Sequence, residues 1–361
     1  MQALCWRDLP AKPGKPPTRG PRSRRIQVKR RRLPRSKTRM SGKAIFCNSG
    51  FEAVEAALKT ALLATTRPGV IAFQDAYHGL GYGTLNVTQR DHFRLPFRVQ
   101  LREFGHFVSF PTAPSQLEPV EAAIRSKFRQ ENIGAVLVEP VQVRGGVNVP
   151  PDEFLPRLRA VCDEFKALLI LDEIYTGFGR TGRWFACEHS GVIPDIVCLG
   201  KALTGGFPLS VCIGRADLMD AAWPPAMGDP IHTSTFLGNP VGCAMAIAQI
   251  KEITRLKLIR QSARLGSYLV RALSRVQPPA SCLINARGVG LLAGLELRLP
   301  DGSPATALAF KVVKRMLEGG FIVLPDGAGA NVVEFTPPLT INEQQLAGAI
   351  DALGEILLTA N

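Results

Sequence analysis

The chain has 361 residues, 46% of them hydrophobic, which excludes an intrinsically disordered protein and allows one large domain plus a smaller one, or two medium ones. No apolar run approaches the roughly 20 residues that span a bilayer, and no apolar stretch follows the N-terminal charges as in a secretory signal. The net charge of +14 sits almost wholly in residues 1–40, which hold 14 Lys/Arg against the single acid Asp8, so the body is near neutral and does not point to nucleic acid.

In chain order, residues 1–42 form a basic, Pro/Arg-rich segment expected to be disordered. Its composition suits a nucleic-acid arm or a transit peptide, although six prolines within residues 1–40 discourage the amphipathic helix of the latter. A third reading is that it is not the natural N-terminus.

Residues 43–254 alternate strand and helix, the pattern of a mainly parallel sheet covered by helices. Strands are predicted over 44–47, 70–73, 133–138, 168–171 and 196–199, and helices over 51–64, 152–165 and 240–253. The first helix is expected to turn Phe51, Val54, Leu58, Ala61 and Leu62 to one face. Residues 255–361 read as a smaller α+β unit, with helices near 256–275, 305–318 and from Glu343, and strands at 290–297, 321–324 and 332–335. Eight cysteines show neither C-x-x-C pairs nor zinc-ligand spacing, so no metal site is expected; several lie in apolar runs, as expected of reduced, buried thiols in a cytoplasmic protein.

Four places carry candidate chemistry. Ser49-Gly-Phe-Glu52 is a capping box after a strand, and such a helix start leaves backbone N–H groups free for a phosphate. Tyr77-His78-Gly79 offers an aromatic side chain for stacking on a planar ring. Asp172 ends the buried run Leu168–Leu171, at the ligand edge of an open α/β sheet. A buried carboxylate there needs a cationic partner, such as a protonated pyridine. Lys201 follows another buried strand between Gly200 and Gly205-Gly206, and a desolvated lysine is suited to forming an imine. The G-x-G-x-x-G match at Gly177–Gly182 does not read as a dinucleotide site, because too few residues follow it before the next strand for a crossover helix.

Together these motifs resemble the class III pyridoxal-phosphate aminotransferases, which include ornithine, acetylornithine, 4-aminobutyrate and ω-amino acid enzymes. The most specific stretch is Asp172-Glu-Ile-Tyr-Thr-Gly-Phe-Gly-Arg-Thr-Gly182, with Lys201 29 residues after Asp172. Glu139-Pro-Val-Gln142, His232–Pro240 and Phe335-Thr-Pro-Pro-Leu339 also match. The resemblance implies an aspartate aminotransferase-like, fold type I large domain with a smaller C-terminal domain. It implies pyridoxal 5'-phosphate held as a Schiff base by Lys201, with Asp172 at the pyridine nitrogen, Tyr77 and Ile174 on the two ring faces and His78 and Tyr175 nearby. Gly50 and Phe51, with Ser49 close by, would meet the phosphate, and Thr235 would reach the phosphate of a neighbouring subunit in a homodimer with shared active sites. The implied reaction moves an amino group from an amine or ω-amino acid to a 2-oxo acid; an aminomutase, racemase or decarboxylase on the same fold, or a catalytically impaired fragment, stays open at this point.

The chain departs from that family in five places. Phe51 stands where many members have Ser or Thr, Tyr175 where Gln bonds the cofactor's ring oxygen, and Leu80 where an Arg binds substrate carboxylates. Arg144 and Glu334 exchange the charges of a Glu–Arg pair. The expectation is a direct Arg144–Glu334 salt bridge over the substrate side, with Arg144 available to the carboxylate of a 2-oxo acid. Last, the family's longer segment before the phosphate-loop strand has no visible counterpart in residues 1–42.

Overall fold

The computed structural model describes residues 41–225 and 227–359; the disorder expected of residues 1–40 lies outside them. The strands are β1 (Gly42–Cys47), β2 (Gly69–Phe73), β3 (Gly105–Val108), β4 (Ile133–Val138), β5 (Leu168–Asp172), β6 (Ile196–Leu199), β7 (Ser210–Arg215), β8 (Leu283–Gly288), β9 (Ala293–Arg298), β10 (Leu324–Asp326) and β11 (Val332–Phe335). The helices are α1 (Gly50–Thr65), α2 (Tyr82–Leu85), α3 (Asp91–Arg94), α4 (Leu117–Gln130), α5 (Phe154–Glu164), α6 (Cys187–Ser190), α7 (Ala216–Ala222), α8 (Pro240–Arg255), α9 (Leu258–Leu273), α10 (Thr306–Glu318) and α11 (Glu343–Leu358).

The larger sheet runs in the order β1-β7-β6-β5-β4-β2-β3. Strands β6, β5, β4, β2 and β3 are mutually parallel, and β7 runs against both β1 and β6. Its central strands are buried on both faces, which is why they read as unbroken apolar runs. Alternate residues serve opposite layers. Val70, Ala72, Ala135, Leu137 and Ile170 pack toward α1, whereas Ile71, Phe73, Val136, Val138 and Leu169 pack with α4 and α5. The smaller sheet, β10-β11-β9-β8, is antiparallel throughout. Leu265 and Leu269 of α9, Val312 and Met316 of α10 and Leu353 of α11 close its core. This is the α/β architecture with a smaller α+β part that the sequence leads one to expect.

The differences are local. In α1 the middle of the predicted face holds, with Val54, Leu58 and Ala61 buried, but Phe51 and Leu62 are exposed. The strand predicted from 321 begins only at Leu324, because Phe321 N–H still bonds to Met316 O and closes the end of α10. The strand predicted from 290 begins at Ala293, since residues 289–292 form a turn closed by Val289 N–H on Leu292 O. Strands β3, β7 and β8 and helices α2, α3, α4, α6 and α7 are additional elements; the helical spacing of Leu117, Val120 and Ile124, all buried, is the signal that marks α4.

The parallel strands end on one edge of the sheet. There the chain after β2 carries Tyr77 and His78, that after β4 carries Glu139, β5 ends in Asp172, and β6 is followed by Lys201. The loop from β1 into α1 adds Ser49, Gly50 and Phe51.

Candidate active site

Asp172 is 6% exposed and held from two sides. Its Oδ2 lies 2.8 Å from His78 Nδ1, and its Oδ1 accepts the Ile174 N–H at 3.1 Å. His78 is itself fixed by its N–H on Thr88 Oγ1, and its buried Nε2 has no partner among the described residues. A carboxylate so braced presents a fixed negative charge at the strand end.

Lys201 starts a short 3-10 turn after β6, with a left-handed φ of +40°. It lines the cavity described below and is open to it. Burial lowers its pKa, against the opposing pull of Asp172, Glu139 and Glu334. Its Nζ lies 3.9 Å from the centroid of the Tyr175 ring. Tyr175 does not present its hydroxyl to the cavity: the O–H donates to Glu334 Oε1 at 2.7 Å. It therefore does not replace the hydrogen bond expected from its position.

Gly50 and Phe51 open α1, where no intrahelical carbonyl reaches their N–H groups. Gly50 is close to Ile174: a Cβ on it would lie 3.1 Å from Ile174 Cδ1. Gly79, at φ +110°, lies so near Phe51 that a Cβ would come within 2.4 Å of Phe51 Cβ. These contacts seat the loop that carries Tyr77 and His78 against the helix start. Ser49 is engaged elsewhere, because both its N–H and its hydroxyl donate to Glu52 Oε2.

A cavity of about 370 Å³ joins these residues, within the few hundred cubic ångströms typical of small-molecule sites. Its lining includes Gly50, Phe51, Tyr77, His78, Asp172, Ile174, Tyr175 and Lys201, with Arg144 among the rest. Ser49 and Glu334 do not line it, and Thr235 lies on the exposed surface.

The expected Arg144–Glu334 bridge is not formed. Arg144 Nε lies 3.2 Å from Asp326 Oδ1, and Glu334 is taken by Tyr175. Antiparallel β10 and β11 pair Leu324 with Glu334, which places Asp326, two residues on, as the diagonal neighbour of Glu334. Asp326 thus stands between the two residues that were expected to meet. Arg90 ties the same corner, donating to Arg144 O and Gly327 O.

Glu139 also lines the cavity and was not among the predicted site residues. It accepts the Tyr77 and Val143 N–H groups, and burial pushes its pKa up to about 7 despite His78 nearby. The signal for it is the one that marks Asp172, an acid at the carboxyl end of a buried parallel strand. Glu173, fully buried, accepts the Ala186 and Cys187 N–H groups and the Thr176 hydroxyl, fixing the loop that carries Ile174 and Tyr175.

The family model described as Aminotransferase class-III matches residues 26–357, starting inside the basic segment and so further toward the N-terminus than the motifs alone reach. The chain is 39% identical over 308 residues to an acetylornithine aminotransferase of Methanosarcina mazei, covering 85% of this chain and 71% of that one. It is 38% identical over 323 residues to a putrescine aminotransferase of Pectobacterium atrosepticum, covering 88% and 66%. Among solved structures it matches the ornithine aminotransferase of Toxoplasma gondii, described with partial occupancy of PLP at its active site, with a TM-score of 0.76 and 30% identity over 88% of this chain and 73% of that one. The chain belongs to the class III aminotransferases, enzymes that transfer amino groups with pyridoxal phosphate.

The residues present fit that cofactor. One cavity holds an amine at Lys201, a braced carboxylate at Asp172 and two free first-turn N–H groups, complementary to an aldehyde, a pyridinium nitrogen and a phosphate.

Proposed function

We propose that this chain is a transaminase in which Lys201 is the covalent attachment point for pyridoxal phosphate and the proton carrier of the reaction. It moves an amino group from a primary amine or ω-amino acid to a 2-oxo acid. The observation that carries the reading is the placement of Asp172 and Lys201 after neighbouring strands β5 and β6, in one cavity with the N-terminus of α1.

When bound, the cofactor supplies an aldehyde and an electron-accepting ring. Asp172 would hold a proton on the pyridine nitrogen, with His78 positioning the carboxylate. Tyr77 and Ile174 would flank the ring, and Gly50 and Phe51 would donate their N–H groups to the phosphate. The lowered pKa of Lys201 favours a neutral Nζ, able to take a proton from substrate carbon and return it. Leu80 removes one expected carboxylate partner, and Arg144 supplies a guanidinium to the cavity lining beside Lys201. The relatives named for acetylornithine and putrescine act on compounds with a primary amine at a chain end, which supports such a donor here.

The proposed assembly is a homodimer with Thr235 at the partner's site. Its support is the exposure of Thr235 together with the large apolar side chains Ile231 and Phe236 beside it. A reducing, cytoplasmic setting is supported by the free state of the described cysteines. No helix among the described residues is long and apolar enough to cross a membrane. The division into a large unit over 43–254 and a small one over 255–361 is supported by α9, the first helix to pack on the small sheet.

The test is a panel of amine donors and 2-oxo acids offered to purified protein with added pyridoxal phosphate. Stoichiometric exchange of amine for ketone or aldehyde is expected. Release of carbon dioxide, or racemisation without exchange, would overturn the transaminase reading.

A further inference from the structure

Behind Arg144 lie two carboxyl groups that nothing in the aminotransferase reaction uses. Asp326 and Glu334 are each 1% exposed and are diagonal neighbours on one face of the β10–β11 pair. Neither oxygen of Asp326, and not Oε2 of Glu334, has a hydrogen-bond donor among the described residues. Two ionised carboxylates so buried and so close repel each other, and a single proton between them supplies the missing donor.

The surrounding charges do not remove the conflict. On the Asp326 side stand Arg144, 3.2 Å away but without the alignment of a hydrogen bond, and Arg90, whose guanidinium is spent on the Arg144 and Gly327 carbonyls. Nearby Arg287 is committed to Glu296 and to the Gly146 carbonyl. On the Glu334 side stand the Tyr175 hydroxyl, Lys201, and Arg180, whose Nη1 serves the Leu291 and Pro337 carbonyls. Burial and the adjacent Glu334 push Asp326 up to about 8, with Arg144 and Arg90 pulling the other way.

We propose that Asp326 and Glu334 share one proton behind Arg144, and that this proton governs how readily Arg144 is released to a carboxylate-bearing ligand entering the cavity. With the proton, the pair carries one negative charge and holds Arg144 loosely. Without it, the pair carries two, and Arg144 is gripped. A carboxylate that takes Arg144 away strips the pair of its cation and raises its proton affinity, so binding and proton uptake are linked. The ligand half of the proposal rests on the transaminase reading of the cavity; the shared proton does not.

Two measurements test it on the full chain with pyridoxal phosphate present. The first is the infrared spectrum: a protonated-carboxyl band is expected that fades as pH rises through about 8 and is missing in Asp326→Asn, where the amide donates to Glu334 instead. The second is calorimetric titration with glutarate, which has two carboxylates and no amine or ketone to react. Affinity is expected to fall by about tenfold per pH unit above the pair's titration, as one-proton linkage requires. Asp326→Asn should flatten that fall, and Arg144→Gln should abolish glutarate binding at every pH. Glu139, whose pKa burial raises to about 7, and Lys201 line the same cavity in both proteins, so it is the difference between the parent and Asp326→Asn that reads the pair. No carboxyl band removed by Asp326→Asn would overturn the shared proton. An unchanged pH slope in that variant, or full glutarate affinity in Arg144→Gln, would overturn the link to ligand binding. Failure of the transaminase reading would show separately, as no amine exchange with the infrared band intact.

Discussion

Lys201 occupies a backbone angle that a side-chain-bearing residue rarely adopts, and it does so at the mouth of the strand where the sequence marks it as the reactive amine. At a left-handed φ the Cβ crowds the following carbonyl, a cost of about 1–2 kcal/mol that glycine escapes. Lys201→Gly is therefore expected to be more stable than Lys201→Ala by about 1 kcal/mol in urea unfolding without cofactor, the reverse of the order at an ordinary position. Both variants should lose the visible absorbance that pyridoxal phosphate acquires on joining the protein as an imine, and borohydride should no longer fix the cofactor to the chain. Cofactor fixed to another lysine in the parent protein would remove Lys201 from the mechanism. Asp172→Asn keeps the side chain's shape but not its charge. It should retain some cofactor and lose most turnover, by about a hundredfold or more if the charge acts mainly in the transition state; a near-normal rate would exclude that role.

At the scale of elements, the strands and the site differ in how plainly the sequence announces them. Strands β2, β4, β5 and β6 are buried on both faces and read as apolar runs between turn residues. Strands β3, β8 and β10 lie at sheet edges and are half exposed, so their residues follow no apolar pattern. Lys201 and Asp172 are legible because each follows such a buried run. Asp326 is not, because Pro325-Asp326-Gly327 reads as a turn, and only the pairing of β10 with β11 brings it beside Glu334. Asp195 is a second case of a residue whose importance appears only in the fold. It ends the loop before β6, 5% exposed, and ties three elements: Arg159 of α5, Arg215 at the end of β7, and the Leu169 N–H of β5. Asp195→Ala leaves Arg159 only its exposed partner Asp163 and frees a buried N–H, so it should cost about 3 kcal/mol in urea unfolding, as expected for breaking a largely buried ion pair on one side. A loss below about 0.5 kcal/mol, the level of ordinary surface substitutions, would show that the clamp is ornamental.

For the whole molecule, the question is whether one chain makes a complete site. On the proposed reading, the cavity holds residues for the cofactor's aldehyde, ring nitrogen and ring faces, the phosphate would be met by the Gly50 and Phe51 N–H groups, and Ser49 is turned to Glu52. The residue matched to the phosphate by resemblance, Thr235, is exposed, on a stretch that also exposes the apolar side chains Ile231 and Phe236. If a second copy covers that stretch, each site takes Lys201 from one subunit and Thr235 from the other. Two inactive variants then make an active protein when mixed. Lys201→Ala removes the attachment point, and Thr235→Asp sets a negative charge against the phosphate. In a heterodimer of the two, one site carries both lesions and the other carries neither. Refolding them together from denaturant in equal amounts should restore about a quarter of the parent activity, since half of randomly paired dimers are mixed and each has one intact site. Sedimentation should show a dimer for the parent and for both variants. No gain on mixing, from variants that sediment as dimers, would mean that each site is built by one chain and that Thr235 serves its own.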